Sequence, residues 1–485
     1  MIYKLLSLFG CTIAISWNLV SAALAQSSAV PTAPPTSYSW TQYGWEMEPD
    51  SSDTSVRVTK FVVRHITQDR SCPALTVDGS IQNMMPRTTT RPDMFDVLVC
   101  ESYLNTDVTA INLNGKALPV PIAHPETVIV IGDTGCRSAS QRCYPSDKKV
   151  SKYEKPYWFY DKVAHEAAND PAAHKKPDLI VHVGDMHYRE QWSEDCSVFP
   201  FNGACWASWE ADFFIPSQAL FEAAPLIMAR GNHEACSRSW TGWFYFLDPA
   251  KLDAKLNWND LDSSGCAKNM GPGISNANYT PTYAIEFDDL QILMPDTSMT
   301  TYDRKNKFEP KEYTSRFNEM SALYNSDPKK PTWIVTHQPF WALLYSERGG
   351  GHVTATIPFG GKTMFGSGGV IGNMSDGPLK QGLLGESPTI DAIIAGHIHL
   401  SETIEFNDSR PHQLVAGASG TKLEHIVNES GFRYNRAISK IGAKSFKAQD
   451  SFDYFIMTYN STNSSWDAAV QIVNTNAQKV TIGGR

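Results

Sequence analysis

Asp178-Leu179-Ile180-Val181-His182-Val183-Gly184-Asp185-Met186-His187-Tyr188 is the stretch that decides the reading of this chain. Residues 178–183 form a short apolar run of strand length, bounded by a glycine, as a buried β-strand should be. Gly184 lets the backbone turn sharply, so the next side chain points off the strand's carboxyl end. The same arrangement recurs. The run 127–131 leads into Gly132-Asp133-Thr134-Gly135, and 226–229 into Gly231-Asn232-His233-Glu234. The run 332–335 ends in Val335-Thr336-His337, and 390–395 leads into Gly396-His397-Ile398-His399. Any one of these is weak, since Gly-Asp turns and core histidines are common. Together they are strong, because the ends of strands in α/β sheets are where sites collect. Two carboxylates, a phenol, an amide and several imidazoles make a mixed oxygen and nitrogen set, suited to borderline-hard divalent or trivalent metals.

Working outward, the spacing predicts helices over 158–169 and 206–224, and further strands over 283–287, 290–294, 412–415, 453–459 and 466–473. Strands alternating with helices imply an α/β core with helices outside it. Upstream the texture differs. Residues 38–121 hold short β-like runs, such as 56–63, 96–100 and 108–113, separated by Gly, Asn and Pro and without helical periodicity. They read as a small all-β domain, a sandwich, preceding a second domain over 122–485. The Gly-rich stretch 349–372 reads as a loop near the site.

The first 25 residues read as a secretory signal: Lys4, an apolar run over 5–20, and a small-x-small cleavage site at Ala23-Leu24-Ala25. Residues 26–37, rich in Ser, Ala and Pro, read as a flexible leader. The expected location is therefore secreted or periplasmic, with no membrane association after cleavage. Nine cysteines fit export. Cys11 leaves with the signal, and neighbour pairing of the rest is the simplest pattern, although sequence leaves connectivity open. It would give Cys72–Cys100, Cys136–Cys143, Cys196–Cys205 and Cys236–Cys266. A formal charge of −9 and a pI near 5.8 argue against a nucleic-acid or anionic-membrane binder. They leave room for an anionic substrate, because bound metal reverses the local field. Oligomeric state is not legible. Asn-x-Ser/Thr sequons stand at Asn278, Asn373, Asn407, Asn428, Asn460 and Asn463.

With these motifs in this order, residues 127–400 resemble the calcineurin-like metallophosphoesterases, and the resemblance continues through the closing β segments. The resemblance implies a four-layer α/β/β/α sandwich. In detail the chain looks like the purple acid phosphatase branch, in its bacterial secreted form. The wider superfamily places a histidine two residues after the first aspartate, where this chain has Gly135. The purple branch takes a tyrosine three residues after the second aspartate, where Tyr188 stands. Carried over residue by residue, the first metal would take Asp133, Asp185, Tyr188 and His399. The second would take Asp185 as a bridge, Asn232, His337 and His397. The first ion would be ferric iron; the second iron, zinc or manganese. Two such metals clamp a phosphoryl group and lower the pKa of a shared water, giving metal-bound hydroxide for in-line attack.

His233, next to a ligand, reads as the general acid or hydrogen-bond donor to the leaving group. Arg137, His187, Arg348 and His352 are candidate substrate contacts by their nearness to ligands or their place in the Gly-rich loop. The expected activity is hydrolysis of a phosphorylated small molecule, a monoester, in the manner of an acid phosphatase. Alternatives are a phosphodiesterase on the same scaffold, a phosphoprotein phosphatase, or a secreted metal-binding protein without catalysis.

Overall fold

The computed structural model describes residues 37–47, 57–87, 95–143, 157–169, 176–189, 205–252, 279–298, 310–324, 330–342, 376–386, 390–424, 426, 439, 442–473 and 478–482. The leader up to residue 36, the stretch 343–375 with Arg348 and His352, and Cys196 and Cys266 lie outside the described residues. The N-terminal strands are β1 (Ser37–Met47), β2 (Arg57–Thr67), β3 (Ala74–Val77), β4 (Ser80–Asn83), β5 (Met85–Pro86), β6 (Leu98–Leu104), β7 (Ile111–Leu113) and β8 (Lys116–Ala117). Then come β9 (Thr127–Ile131), β10 (Leu179–His182), β11 (Leu226–Met228), β12 (Tyr283–Glu286), β13 (Gln291–Met294), β14 (Thr332–Val335) and β15 (Ile390–Ala395). The last are β16 (Ser401–Phe406), β17 (His412–Ala416), β18 (Ala443–Gln449), β19 (Asp453–Asn460), β20 (Ser465–Ile472) and β21 (Gln478–Ile482).

Among the described residues these make a sheet in the order β21-β20-β19-β9-β10-β11-β1-β2-β6-β5 and a second in the order β12-β13-β14-β15-β17-β16-β18. The period-two alternation of strand side chains sets the layers. Ile292, Trp333, Val335, Ala392 and Ile394 of the second sheet share one core with Val128, Val130, Phe455 and Met457 of the first. Leu293, Ile334 and Ile393 point the other way, onto Phe317 and Met320 of the helix Pro310–Leu323 and Leu379 and Leu383 of the helix Pro378–Leu384. The helix Tyr160–Ala168 buries Val163, Ala164 and Ala167 against the first sheet. This is the four-layer α/β/β/α arrangement. Among the described residues no helix is long and apolar enough to cross a membrane.

The N-terminal all-β region is present, but its boundary near residue 121 is not a break in the sheet. β1 runs parallel to β11, with Gln42 opposite Leu226, and β2, β6 and β5 continue the same sheet. Burial explains this. Tyr38, Trp40, Tyr43 and Trp45 are almost fully covered, Trp40 stacking on Phe221 of the helix Gln218–Ala223. Burying such rings contributes about 2–3 kcal/mol each. Among the described residues, β4-β3-β7-β8 form a small sheet of their own. The single helix expected over 206–224 also divides, into Trp206–Trp209, a π-helical turn Glu210–Phe214, and Gln218–Ala223. Pro216 lacks the N–H that a continuous helix needs there.

The two sheets are tied below the site by a buried carboxyl. Asp453, at the start of β19, accepts from Ser401 Oγ of β16, and its carbonyl accepts from Ser419 Oγ at 3.0 Å. Ser419 Oγ in turn accepts from Gly132 N at 3.3 Å. Burial pushes the Asp453 carboxyl up to about 8. The folded chain then holds a proton that the unfolded chain releases. The sign follows: this stabilisation is fully present below the unfolded pKa near 4 and is lost as pH rises towards 8. Asp453→Asn, an isostere of the protonated acid, should flatten that limb. Thermal midpoints at pH 5 and 8 should differ by several degrees less than in the wild type; an unchanged difference would count against a protonated Asp453.

Candidate metal centre

Three motif loops leave the carboxyl ends of the parallel neighbours β9, β10 and β11, and two leave those of β14 and β15, also parallel. Backbone bonds lock the first two loops together: Asp133 N donates to Gly184 O at 2.9 Å and Thr134 N to Asp185 O at 2.9 Å. Asp133, Asp185 and His397 have φ of 53°, 59° and 74°. This left-handed backbone costs a non-glycine residue about 1–2 kcal/mol. Gly231 is obligatory, because a Cβ there would lie 2.2 Å from Asp185 N and Oδ1. Gly135 is equally constrained, since its Cβ would meet Met186 O and Tyr188 N at 2.7 Å and the Tyr188 ring at 2.8 Å. The tyrosine therefore occupies the space that a side chain at 135 would need.

Each aspartate commits one oxygen to the scaffold. Asp133 Oδ2 accepts from His397 N at 2.7 Å, and Asp185 Oδ1 from His233 N at 2.8 Å. Their other oxygens face a common centre. Tyr188 Oη donates to Asp185 Oδ2 at 2.7 Å and lies 3.1 Å from Asp133 Oδ1 and 3.0 Å from His399 Nε2. On the far side, His337 Nε2 is 3.0 Å from Asn232 Oδ1 and 3.4 Å from Asp185 Oδ2. His397 Nδ1 is 2.8 Å from Asn232 Oδ1 and 3.2 Å from His337 Nε2. All seven expected ligands thus converge. Of the two Asp185 oxygens, Oδ2 is the one that faces both halves, since Oδ1 accepts from His233 N.

The donor set fits cations. His337 Nδ1–H donates to Val183 O at 2.8 Å, which leaves Nε2 as a lone pair aimed at the amide oxygen and at Asp185. Asp185 Oδ2, His337 and His397 present ligand atoms within 4.8 Å of one another. Lone pairs so close need positive charge between them. In the protein alone that charge is a proton. Burial disfavours it, but Asp185 holds His337 up to about 9. Burial and His337 push His397 down to about 3. Burial and the Asp185 charge raise the Asp133 carboxyl, while Asp185, despite burial, is held well below the carboxylate range by His337 and His233. Burial and the two carboxylates raise the Tyr188 phenol. Binding metal would displace these protons.

The remaining candidates divide. His233 faces the cluster: its ring centroid is 3.7 Å from that of Tyr188, and Nε2 is 3.9 Å from Asp185 Oδ2. Arg137 lies over the Tyr188 ring, 5.0 Å from its centroid. His187 turns away. It is fully buried, stacked on Trp209 at 4.8 Å, with Nε2 3.0 Å from Ser208 Oγ. The loop carries its side chain into the aromatic core, so it is not placed to touch a substrate.

Three supports were not foreseen. Glu234 accepts from four backbone N–H groups, those of Gly231, Asp185, Met186 and His187, at 2.8–3.0 Å. Burial lifts its carboxyl to about 7, but four donors aimed at it favour the carboxylate. Asp212, in the π-helical turn, accepts from Tyr188 N at 2.8 Å and from Arg189 N and Nε at 3.1 and 2.5 Å. An acidic residue inside the aromatic run Trp206–Phe214 was the available signal. His182 links Thr134 Oγ1 to Gly184 N. Cys72–Cys100 and Cys136–Cys143 are bonded, and the latter closes the loop that carries Arg137. Cys205 and Cys236 are also disulfide-bonded; the cysteines expected to pair with them lie outside the described residues.

No curated protein sequence matches the chain. Two solved structures are similar to it at low identity. One is described as GAP50, the anchor in the inner membrane complex of Plasmodium: 13% identity, 74% of this chain and 89% of that chain covered, TM-score 0.37. The other is a structure of PhoD: 11% identity, 93% and 83% covered, TM-score 0.40. The family model for calcineurin-like phosphoesterases matches residues 126–401. That match spans more than half of the sequence and contains every residue of the converging cluster, so the chain belongs to the calcineurin-like phosphoesterase family.

Proposed function

We propose that the protein is an exported phosphatase of the purple acid type that hydrolyses phosphate monoesters with two metal ions. The observation that carries this reading is Tyr188, whose hydroxyl sits among Asp133, Asp185 and His399 and whose ring lies against Gly135, where a side chain would collide with it. Asp133, Asp185, Tyr188 and His399 would hold ferric iron. Asp185, Asn232, His337 and His397 would hold iron, zinc or manganese. A phenol raised by burial and two carboxylates gives up its proton only beside a highly charged ion, which favours a trivalent metal there. The disulfides support export.

When bound, the metals would polarise the phosphoryl oxygens and acidify a coordinated water. The chain's own residues do the rest. Val183 O fixes the His337 tautomer, and Glu234 holds the Asp185 and His233 loops in one register. His233 would give a proton or hydrogen bond to the leaving-group oxygen. Arg137, beside Tyr188, would meet a phosphoryl oxygen.

Tyr188→Phe tests the assignment. The wild type, isolated with iron and without reductant, should be pink to purple and should hydrolyse an aryl monoester faster than its diester. The variant should lose the visible band and bind the first metal less tightly. Colour retained in Tyr188→Phe would remove the phenolate from the ligand set, and a faster diester would favour the phosphodiesterase reading.

A further inference from the structure

Arginines near the metal cluster are held in different ways. Arg189 is paired with Asp212 at 2.5 Å and Arg230 with Asp296 at 3.4 Å, both deeply buried beneath the loops. Arg137 is half-buried and lies over the Tyr188 ring, and among the described residues no carboxylate is paired with its guanidinium. A long side chain without an anchor at its tip keeps much of its rotamer freedom, so its aim depends on how its backbone is fixed. Gln141 does that fixing. Its Oε1 accepts from Arg137 N at 3.1 Å, and its own N donates to Arg137 O at 2.7 Å. Its Nε2 donates to Gly420 O at 3.1 Å. The residues around Gly420 are built into the site. Ser419 Oγ accepts from Gly132 N at 3.3 Å, Thr421 N donates to Asp133 O at 2.8 Å, and Glu424 N donates to His399 O at 3.0 Å. Gln141 is fully buried, and the Cys136–Cys143 disulfide closes the loop around it. A carboxamide carries an acceptor and a donor on one planar group, and here each serves a different segment. One side chain thus links Arg137 to the segment that holds the backbones of Asp133 and His399.

We propose that Gln141 is a positioning residue, which sets Arg137 at a fixed offset from the metal ligands so that its guanidinium meets a phosphoryl oxygen of the substrate. This rests on the phosphoesterase reading and on Arg137 as a substrate contact. A charge-assisted hydrogen bond from a guanidinium is strong only when its planar donors are aligned with the oxygen. Gln141 supplies the alignment from the backbone end, since nothing at the tip of Arg137 does so before the substrate arrives. The phosphoryl group is common to every substrate, so Gln141 acts on phosphate binding whatever the leaving group. A contact made alike in the ground and transition states lowers KM and leaves kcat little changed.

The test is a double-mutant cycle on the metal-loaded protein: wild type, Gln141→Met, Arg137→Ala and the pair. Calorimetry with inorganic phosphate, phenyl phosphate kinetics and metal analysis read it out. Arg137→Ala should weaken phosphate binding by about tenfold or more, the value of one charge-assisted hydrogen bond. Gln141→Met, of similar length but without the amide, should keep its metals. It should weaken phosphate by about threefold or more, as loss of a neutral hydrogen bond does, and raise KM with little change in kcat. In the Arg137→Ala background it should have no further effect. Gln141→Glu keeps the acceptor for Arg137 N but not the donor to Gly420 O, and should fall between wild type and Gln141→Met; it carries the same cycle if Gln141→Met does not fold. Equal losses in both backgrounds, or lost metal, would make Gln141 a general structural residue, and unchanged phosphate affinity would remove it from recognition; each overturns the proposal alone. If Arg137→Ala binds phosphate as the wild type does, the reading of Arg137 as a substrate contact fails. If the wild type neither binds phosphate nor hydrolyses the ester, the phosphoesterase reading fails. In both of these cases the proposal falls with the reading.

Discussion

Asp185→Ala is expected to abolish hydrolysis and deplete both metals. Its Oδ2 is the oxygen that faces Tyr188 Oη at 2.7 Å and His337 Nε2 at 3.4 Å, so it is shared by both halves of the site. Its Oδ1 also anchors His233 N. Removing the carboxylate leaves both proposed ions short of a ligand and frees the His233 loop. Losing several kcal/mol of transition-state stabilisation corresponds to on the order of 10³-fold or more in rate. Metal analysis by mass spectrometry, beside kinetics, should show both metals reduced. His233→Ala is the control that separates the roles. It should keep its metals and slow turnover by ~10²–10⁴-fold, as loss of a general acid does. Metal loss in His233→Ala, or full occupancy in Asp185→Ala, would reverse this division.

The second large effect lies far from the chemistry. Arg64 and Arg87 are both buried in the N-terminal strands, and the carboxylate facing both is Glu101, 3.2 Å from Arg64 Nε and 2.6 Å from Arg87 Nη1. The guanidiniums also donate to the carbonyls of Phe246 and Asp248 (Arg64), and of Phe244, Asp248 and Ala250 (Arg87). Those carbonyls belong to the turn that follows the Asn232–Glu234 motif, so the N-terminal region fastens the loop behind the site. Glu101→Ala would leave two like charges buried side by side without the carboxylate they share. Breaking a buried pair costs about 3–5 kcal/mol. Urea titration should show a loss in that range, and Glu101→Gln, which keeps an acceptor but not the charge, should lose less. A change under ~1 kcal/mol for Glu101→Ala would mean that the pair is solvated in solution.

The candidate site was largely legible because most of its residues follow glycine turns at strand ends, where local sequence dictates the geometry. The α/β core with outer helices was legible from the alternation of short apolar strands with helical stretches, whereas its four layers came from the family resemblance. What escaped depends on contacts distant in sequence. Ser37–Met47 mixes polar residues, Gly and aromatics, and only its neighbours β11 and β2 make it a central strand. Glu234 sits in a motif, yet that its carboxylate gathers four N–H groups depends on how the Asp185 loop approaches it. The direction of His187 was undetermined, because alternate residues of a loop face opposite ways and only the packing of Trp209 decides which. Asp212 needed the π-helical turn, which sequence periodicity does not report.

The left-handed backbone at Asp133, Asp185 and His397 has an evolutionary consequence. At each of these positions glycine would relax the backbone by about 1 kcal/mol or more, although at the aspartates that relief is set against the lost acceptor for His397 N or His233 N. Random substitution screened only for folding or heat resistance therefore drifts towards losing ligands, and it does so without disturbing the sheets beneath. A descendant selected only for folding would keep this sandwich and lose these side chains first.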